Sequence, residues 1–145
     1  MNDATVLYYK VCYADTDAGG VVYHARYIEM VERSRNRVMY AAGYSFAELA
    51  QAHQVMLIVH KVQANYLAPA FLEDDLSLSS HLSACRPSRT VWETEVRRGE
   101  ILLATISMEM VALDTVTRRL ARMPEAFLTA LRSFSKEAKD GSAAL

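Results

Sequence analysis

Within six residues the chain sets two carboxylates and two glycines, Asp15, Asp17, Gly19 and Gly20, and His24 follows four residues later. A carboxylate held beside an electrophilic carbonyl can attack it or deprotonate a water that does. The glycines let backbone come close to a ligand. If a helix begins just beyond them, its first N–H groups lack partners and face outward. Such donors suit a developing negative charge, for example the oxygen of a thioester carbonyl under attack. The competing reading makes both aspartates turn formers or helix caps and the glycines a bend, and residue types alone favour it.

The elements around this stretch decide what it can hold. Residues 6–13 alternate, so Leu7, Tyr9, Val11 and Tyr13 share one face of a first strand, and residues 14–20 break the pattern. From Tyr23 to Ala42 the period becomes helical: Tyr27, Val31, Ser34, Val38 and Ala42 form one stripe, while Arg26, Glu29, Arg33 and Arg37 face elsewhere. Gly43 suits the end of that helix, and Ser45 with Glu48 forms a capping box for a short helix over 45–53. Strands are expected over 55–66, 75–84, 89–98 and 101–113, with Arg98-Gly99-Glu100 as a tight hairpin. Thr90, Trp92, Thr94 and Val96 share one period-2 face, and Leu102, Ala104, Ile106, Met108 and Met110 share another. Pro124 opens a last helix carrying Phe127, Leu128 and Leu131. Residues 1–135 then form one domain, and 136–145 a polar tail expected to fray. One long helix against five strands, with short connections, is an α+β domain whose antiparallel sheet curls around the helix. An open sheet edge invites pairing with a second copy.

Composition narrows the functional classes. A net charge of −1 over 145 residues gives no global positive field, which argues against nucleic acid as a partner. No apolar run is long enough to span a membrane and no secretory signal opens the chain, so a cytoplasmic location is expected. Cys12 and Cys85 are too few for a disulfide scaffold, and no cluster of His, Cys and carboxylates has metal-ligand spacing. No metal or organic cofactor is expected. His53, His60 and His81 read as structural or surface residues, and Met108 and Met110 as core.

The string from Tyr13 to Tyr27 closely resembles the active-site signature of the 4-hydroxybenzoyl-CoA thioesterase family of hot-dog proteins. Within that family it is most similar to the Tol–Pal-associated acyl-CoA thioesterases, the YbgC type, whose hallmark Asp-Thr-Asp-Ala-Gly-Gly-Val-Val-Tyr-His-Ala is matched throughout residues 15–25. The likeness continues through Tyr27, Glu32, Arg33 and Arg35, returns at Ala64–Ala70 and Asp74-Asp75, and covers about residues 5–133. It implies a hot-dog fold and hydrolysis of acyl-CoA to a carboxylic acid and CoA, with acyl carrier protein as another carrier. It implies a dimer or tetramer. Asp17 falls on the family's catalytic carboxylate, as nucleophile or general base. His24 falls where a helix-start N–H polarises the thioester, and its side chain counts in the active site of that branch. Tyr13 matches a tyrosine that orients the carboxylate, although its place on the first strand equally suits packing. Asp15 stabilises the turn. Gly20 is expected to contact substrate, and Glu32, more than a turn below His24, is a candidate for the pocket against the commoner solvated glutamate. Arg86 and Arg89, flanking Pro87-Ser88, fall where the family holds CoA phosphates, often for a neighbouring subunit; a solvated hairpin end is the alternative. Hot-dog hydratases are a second class, but their Asp and His lie about five positions apart, whereas Asp17 and His24 are separated by seven and by Gly-Gly. A non-catalytic acyl-CoA sensor or scaffold is a third.

Overall fold

A computed structural model describes residues 5–135. Its single antiparallel sheet has the order β1-β3-β4-β5-β2, with β1 over Val6–Lys10, β2 over Val55–Tyr66, β3 over Asp75–Arg86, β4 over Arg89–Arg98 and β5 over Ile101–Asp114. Three helices follow the expected plan: α1 over His24–Ala41, α2 over Phe46–His53 and α3 over Glu125–Arg132. The sheet curls around α1, the hot-dog arrangement. Ser45 caps α2 by accepting the Glu48 N–H at 3.1 Å, and Gly43 just past α1 has φ +89°, where a side chain would be strained.

Burial explains the curl. Over residues 76–82 of β3 and 90–96 of β4 every second residue is buried, including Leu76, Leu78, Leu82, Trp92 and Val96. Tyr27, Met30, Val31, Val38 and Met39 of α1 close over them, and α1 packs on β3 and β1. One polar chain joins the helix to the sheet: Ser34 Oγ lies 2.8 Å from Ser80 Oγ, which lies 2.8 Å from Thr94 Oγ1, and all three residues are buried. The edge strand β2 is finished differently. Val59 and Val62 pair with the buried Met110 and Met108 of β5, yet they are 47% and 40% exposed.

Two expectations are corrected. The first strand ends at Lys10 rather than 13, because Cys12 N–H turns back to the Asp15 carboxylate and Tyr13–Asp15 forms a 3-10 turn. Tyr13 therefore leaves the face of Leu7 and Tyr9 and is 82% exposed. In β5, an irregularity opposite Val96 and Arg97 buries Leu103 and leaves Leu102 half-buried, so Leu102 does not share the inward face of Ala104, Ile106, Met108 and Met110. The last four strands form a reordered meander, in which the 55–66 strand crosses to the far edge and pairs with β5. The expected tail at 136–145 lies outside the described residues.

Candidate active site

The segment from Asp15 to Tyr23 is a small hairpin. Asp17 N–H donates to Val21 O at 2.9 Å, Tyr23 N–H donates to Asp15 O at 2.9 Å, and Thr16 bridges Val22. The turn closes through Gly20 N–H to Asp17 O at 3.0 Å, with Gly20 at φ +78°. One limb thus carries Asp17 and the other runs straight into α1. The Asp17 carboxylate accepts the Gly19 N–H on Oδ1 at 2.8 Å, which fixes its orientation and leaves Oδ2 for other work. A Cβ on Gly19 would stand 3.1 Å from that same Oδ1, so a side chain there would press on the carboxylate.

Asp17 faces a cleft of about 330 Å³ lined also by Val21, Val22, His24, Tyr27, Tyr66, Leu67, Ala68 and Pro69. His24 is the first residue of α1, and among the described residues neither its N–H nor that of Ala25 has an acceptor. Its ring stacks on Tyr23, with centroids 4.5 Å apart, and meets Tyr66 edge-on at 6.3 Å. Tyr66, at the end of β2, donates its hydroxyl to His24 O at 2.9 Å and packs edge-on against Tyr27 at 5.4 Å. Burial pushes the phenol pKa values of Tyr27 and Tyr66 up, so both hydroxyls stay protonated at neutral pH. The far wall is tied down by Arg98, which donates to Pro69 O at 3.1 Å and Asp74 Oδ2 at 2.7 Å.

Asp15 is fully buried. Its carboxylate accepts from the Tyr9 hydroxyl at 2.8 Å, Cys12 N–H at 2.9 Å, Cys12 Sγ at 3.2 Å and Arg26 Nη2 at 3.0 Å. Burial alone pushes the Asp15 carboxyl up, but these donors outweigh it and hold it below the usual carboxylate range.

The cleft gathers only part of the expected set. Asp17 and His24 meet in it, and Gly20 sits at the turn between Asp17 and Val21. Tyr13 lies outside; its hydroxyl makes no hydrogen bond among the described residues, and the tyrosine holding a carboxylate is Tyr9, on Asp15. Glu32 has a 61% exposed side chain, 3.8 Å from the buried Arg35, and does not line the cleft. Arg86 and Arg89 face each other at the β3–β4 hairpin, where Arg89 pairs with Glu109 at 3.1 Å. That hairpin is at the opposite end of β3 from Asp75, roughly 35 Å away at the rise of an extended strand. Within one chain the two arginines and Asp17 are therefore apart. Sequence reasoning missed Tyr66 and Tyr27 as cleft residues, although Tyr66 belongs to the Ala64–Ala70 motif and pointed there. No group of three or more His, Cys, Asp and Glu among the described residues could hold a metal. No described helix is long and apolar enough to cross a membrane.

The sequence profile of the thioesterase-like superfamily matches residues 11–131, which span the hairpin, α1 and the whole cleft. This chain belongs to the thioesterase-like superfamily. Its sequence similarity runs in two directions. It is 32% identical to the acyl-CoA thioester hydrolase YbgC of Escherichia coli, over 82% of this chain and 89% of that one. It is 30% identical to a 1,4-dihydroxy-2-naphthoyl-CoA hydrolase of a Synechococcus species, over 79% of this chain and 80% of that one. Among solved structures, a probable thioesterase from Bartonella henselae superposes with a TM-score of 0.76 at 29% identity, covering 82% of this chain and 98% of that one.

Proposed function

We propose that this thioesterase-like protein hydrolyses acyl-CoA to a carboxylic acid and CoA, as an enzyme of the YbgC type. The observation that carries this reading is the shared cleft: Asp17 and His24, the first residue of α1, line the same space, at a helix start whose His24 and Ala25 N–H groups have no acceptor among the described residues. A thioester bound there directs its oxygen to the His24 and Ala25 N–H groups, where the helix dipole favours negative charge. Asp17 either attacks the carbonyl carbon or takes a proton from the attacking water. As charge builds on the oxygen those N–H bonds strengthen, and the tetrahedral intermediate collapses with loss of the CoA thiolate. In the general-base route this gives the carboxylic acid directly; in the nucleophilic route it leaves an acyl–Asp17 anhydride that water then cleaves to the acid and the free carboxylate. The aromatic wall of Tyr27 and Tyr66 shields the acyl group from water.

In this reading Gly20 gives the substrate close access to backbone, while Tyr13 and Glu32, outside the cleft lining, take no part in the chemistry. Val59, Val62 and the unpaired side of β2 support assembly through that edge into a homodimer, or a tetramer built from it. Arg86 and Arg89, remote from their own cleft, then serve CoA phosphates in a neighbouring subunit. The protein works in the cytoplasm without a bound cofactor, and acyl carrier protein is the alternative carrier.

Release of free thiol from a panel of acyl-CoAs, spanning aliphatic chains and the 1,4-dihydroxy-2-naphthoyl group, tests the reaction and its acyl class together. Asp17→Asn should abolish nearly all release from the best substrate. Retention of more than about a tenth of wild-type turnover, a loss under ~1.4 kcal/mol, would refute the assignment of Asp17.

A further inference from the structure

We propose that Asp15 and Arg26 form a positioning pair that sets the spacing between the Asp17 carboxylate and the first amides of α1; this rests on the role of Asp17 given above. Arg26 is the third residue of α1, where a cation opposes the helix dipole and is ordinarily disfavoured. There it reaches back to the buried Asp15 with two nitrogens, Nε at 3.2 Å and Nη2 at 3.0 Å, both on Oδ1. Its Nη1 pairs with Glu29, so the guanidinium is held from two sides. Asp15 in turn grips everything that meets at the root of the hairpin. Its side chain holds Tyr9 of β1 and the Cys12 N–H, and its backbone oxygen holds Tyr23, the residue that precedes α1.

Among the described residues the hairpin's other polar ties to the rest of the fold are backbone contacts, Val22 N–H to Ala70 O at 2.9 Å and the bridge of Val21 to Phe71. Beyond its root it is closed by single backbone bonds, Asp17 N–H to Val21 O and Gly20 N–H to Asp17 O, and it ends in exposed glycines. Asp17 sits two residues beyond Asp15 on one limb, and His24 begins α1 at the end of the other. A rotation of α1 relative to β1 would change the gap that a thioester must bridge. The Asp15–Arg26 pair is the side-chain link from the hairpin root and β1 to α1, and it resists that rotation. It lies outside the cleft lining, so it acts on the reaction through Asp17 and the helix start rather than by touching substrate. Misplacing reacting groups by about 1 Å can cost on the order of a hundredfold in rate, which gives such a link catalytic weight.

The test uses the full chain and the acyl-CoA that wild type turns over best. Asp15→Asn and Arg26→Gln should each lower kcat at least tenfold while KM stays within about twofold, because the walls at Val21, Tyr66 and Leu67 are untouched. The double variant should be no slower than the worse single one, as expected of two residues acting as a unit. Arg26→Lys should recover only part of kcat, since it keeps charge and loses the two-nitrogen grip. Circular dichroism melts establish that each variant is folded at the assay temperature. If Asp15→Asn does not fold, Tyr9→Phe and Arg26→Gln carry the same prediction with the carboxylate in place. Wild-type kcat in folded Arg26→Gln, a loss expressed in KM, or losses that multiply in the double variant would overturn the pair's role. Asp17→Asn, measured alongside, separates the two readings. If it is inactive while Arg26→Gln runs at full rate, only the positioning role falls; if Asp17→Asn itself is active, the mechanism falls.

Discussion

Tyr66 offers the sharpest test of how the cleft is held. Tyr66→Phe removes the hydroxyl that donates to His24 O at 2.9 Å and keeps the ring against Tyr27 and His24. A neutral hydrogen bond contributes about 0.5–1.5 kcal/mol net, and Tyr66 is 46% exposed, so water replaces part of what is lost. The lower part of that range applies, about 0.5–1 kcal/mol, or roughly a two- to fivefold fall in kcat/KM. Tyr66→Ala also deletes the edge-on contacts at 5.4 and 6.3 Å, aromatic pairs that add about 0.5–1.5 kcal/mol each beyond the area they bury. Its total is about 1.5–4 kcal/mol, roughly a ten- to 900-fold fall. Initial rates of thiol release, with both variants checked by thermal melting, give the two numbers. A loss above a hundredfold in Tyr66→Phe would mean that the hydroxyl touches the reacting atoms. Equal losses in both variants would mean that the ring contacts do not hold the helix start.

Other perturbations have equally definite outcomes. Ser80→Ala removes the middle of the buried hydroxyl chain and strands Thr94, for about 1–3 kcal/mol and a melting temperature lower by roughly 3–10 °C. Ser34→Ala should cost less in the same melts, because Ser80 keeps Thr94; the reverse order would contradict the network. Asp15 and Asp74 both have folded pKa values below their unfolded ones, Asp15 by its four donor groups against burial, Asp74 by the Phe71 N–H and Arg98. Their stabilisation is therefore complete above the ordinary carboxylate pKa, and it is lost as pH falls through the depressed values. Wild type should lose melting temperature below about pH 4 more steeply than Asp15→Asn, and parallel curves would refute the linkage. Val62→Glu, on the inward side of the β2 edge, should give a folded monomer by light scattering, and an unchanged assembly would rule out that edge.

Much of this architecture can be read from residue order, because it rests on local rules. The α1 stripe, the Ser45 cap and the β4 alternation each depend on neighbours within a few positions, and all appear where periodicity puts them. The errors arise where a distant or polar contact decides. Apolar alternation continues through Val11 and Tyr13, but the Asp15 carboxylate takes the Cys12 N–H and ends the strand. Leu102 follows the alternation in type, and one bulge hands its place to Leu103. Arg35, on which periodicity is silent, is buried against Met108, and that burial pulls its pKa down. For the site, the motif marks Asp17 and His24 because hairpin and helix start are contiguous in sequence. Tyr66 joins them only through the sheet order, which alternation along single strands does not encode.

That sheet order also bears on how the chain reaches its fold. β3, β4 and β5 meet across tight turns at Pro87-Ser88 and Gly99-Glu100, so their pairing closes very short loops. The outer strands have no such advantage: Val6 must find Ser79, and Val62 must find Met108. Loop-closure entropy and the slow formation of non-local pairs put those two edges later than the central hairpins. Pulse-labelled hydrogen exchange during refolding should accordingly protect β4 amides before those of β2, and simultaneous protection would contradict the order. The cleft hangs on both late edges, with its hairpin fastened to Tyr9 of β1 and its aromatic wall supplied by Tyr66 of β2. Residues 15–24 are contiguous, but the cavity they serve comes into being only when the last strand on each side has closed.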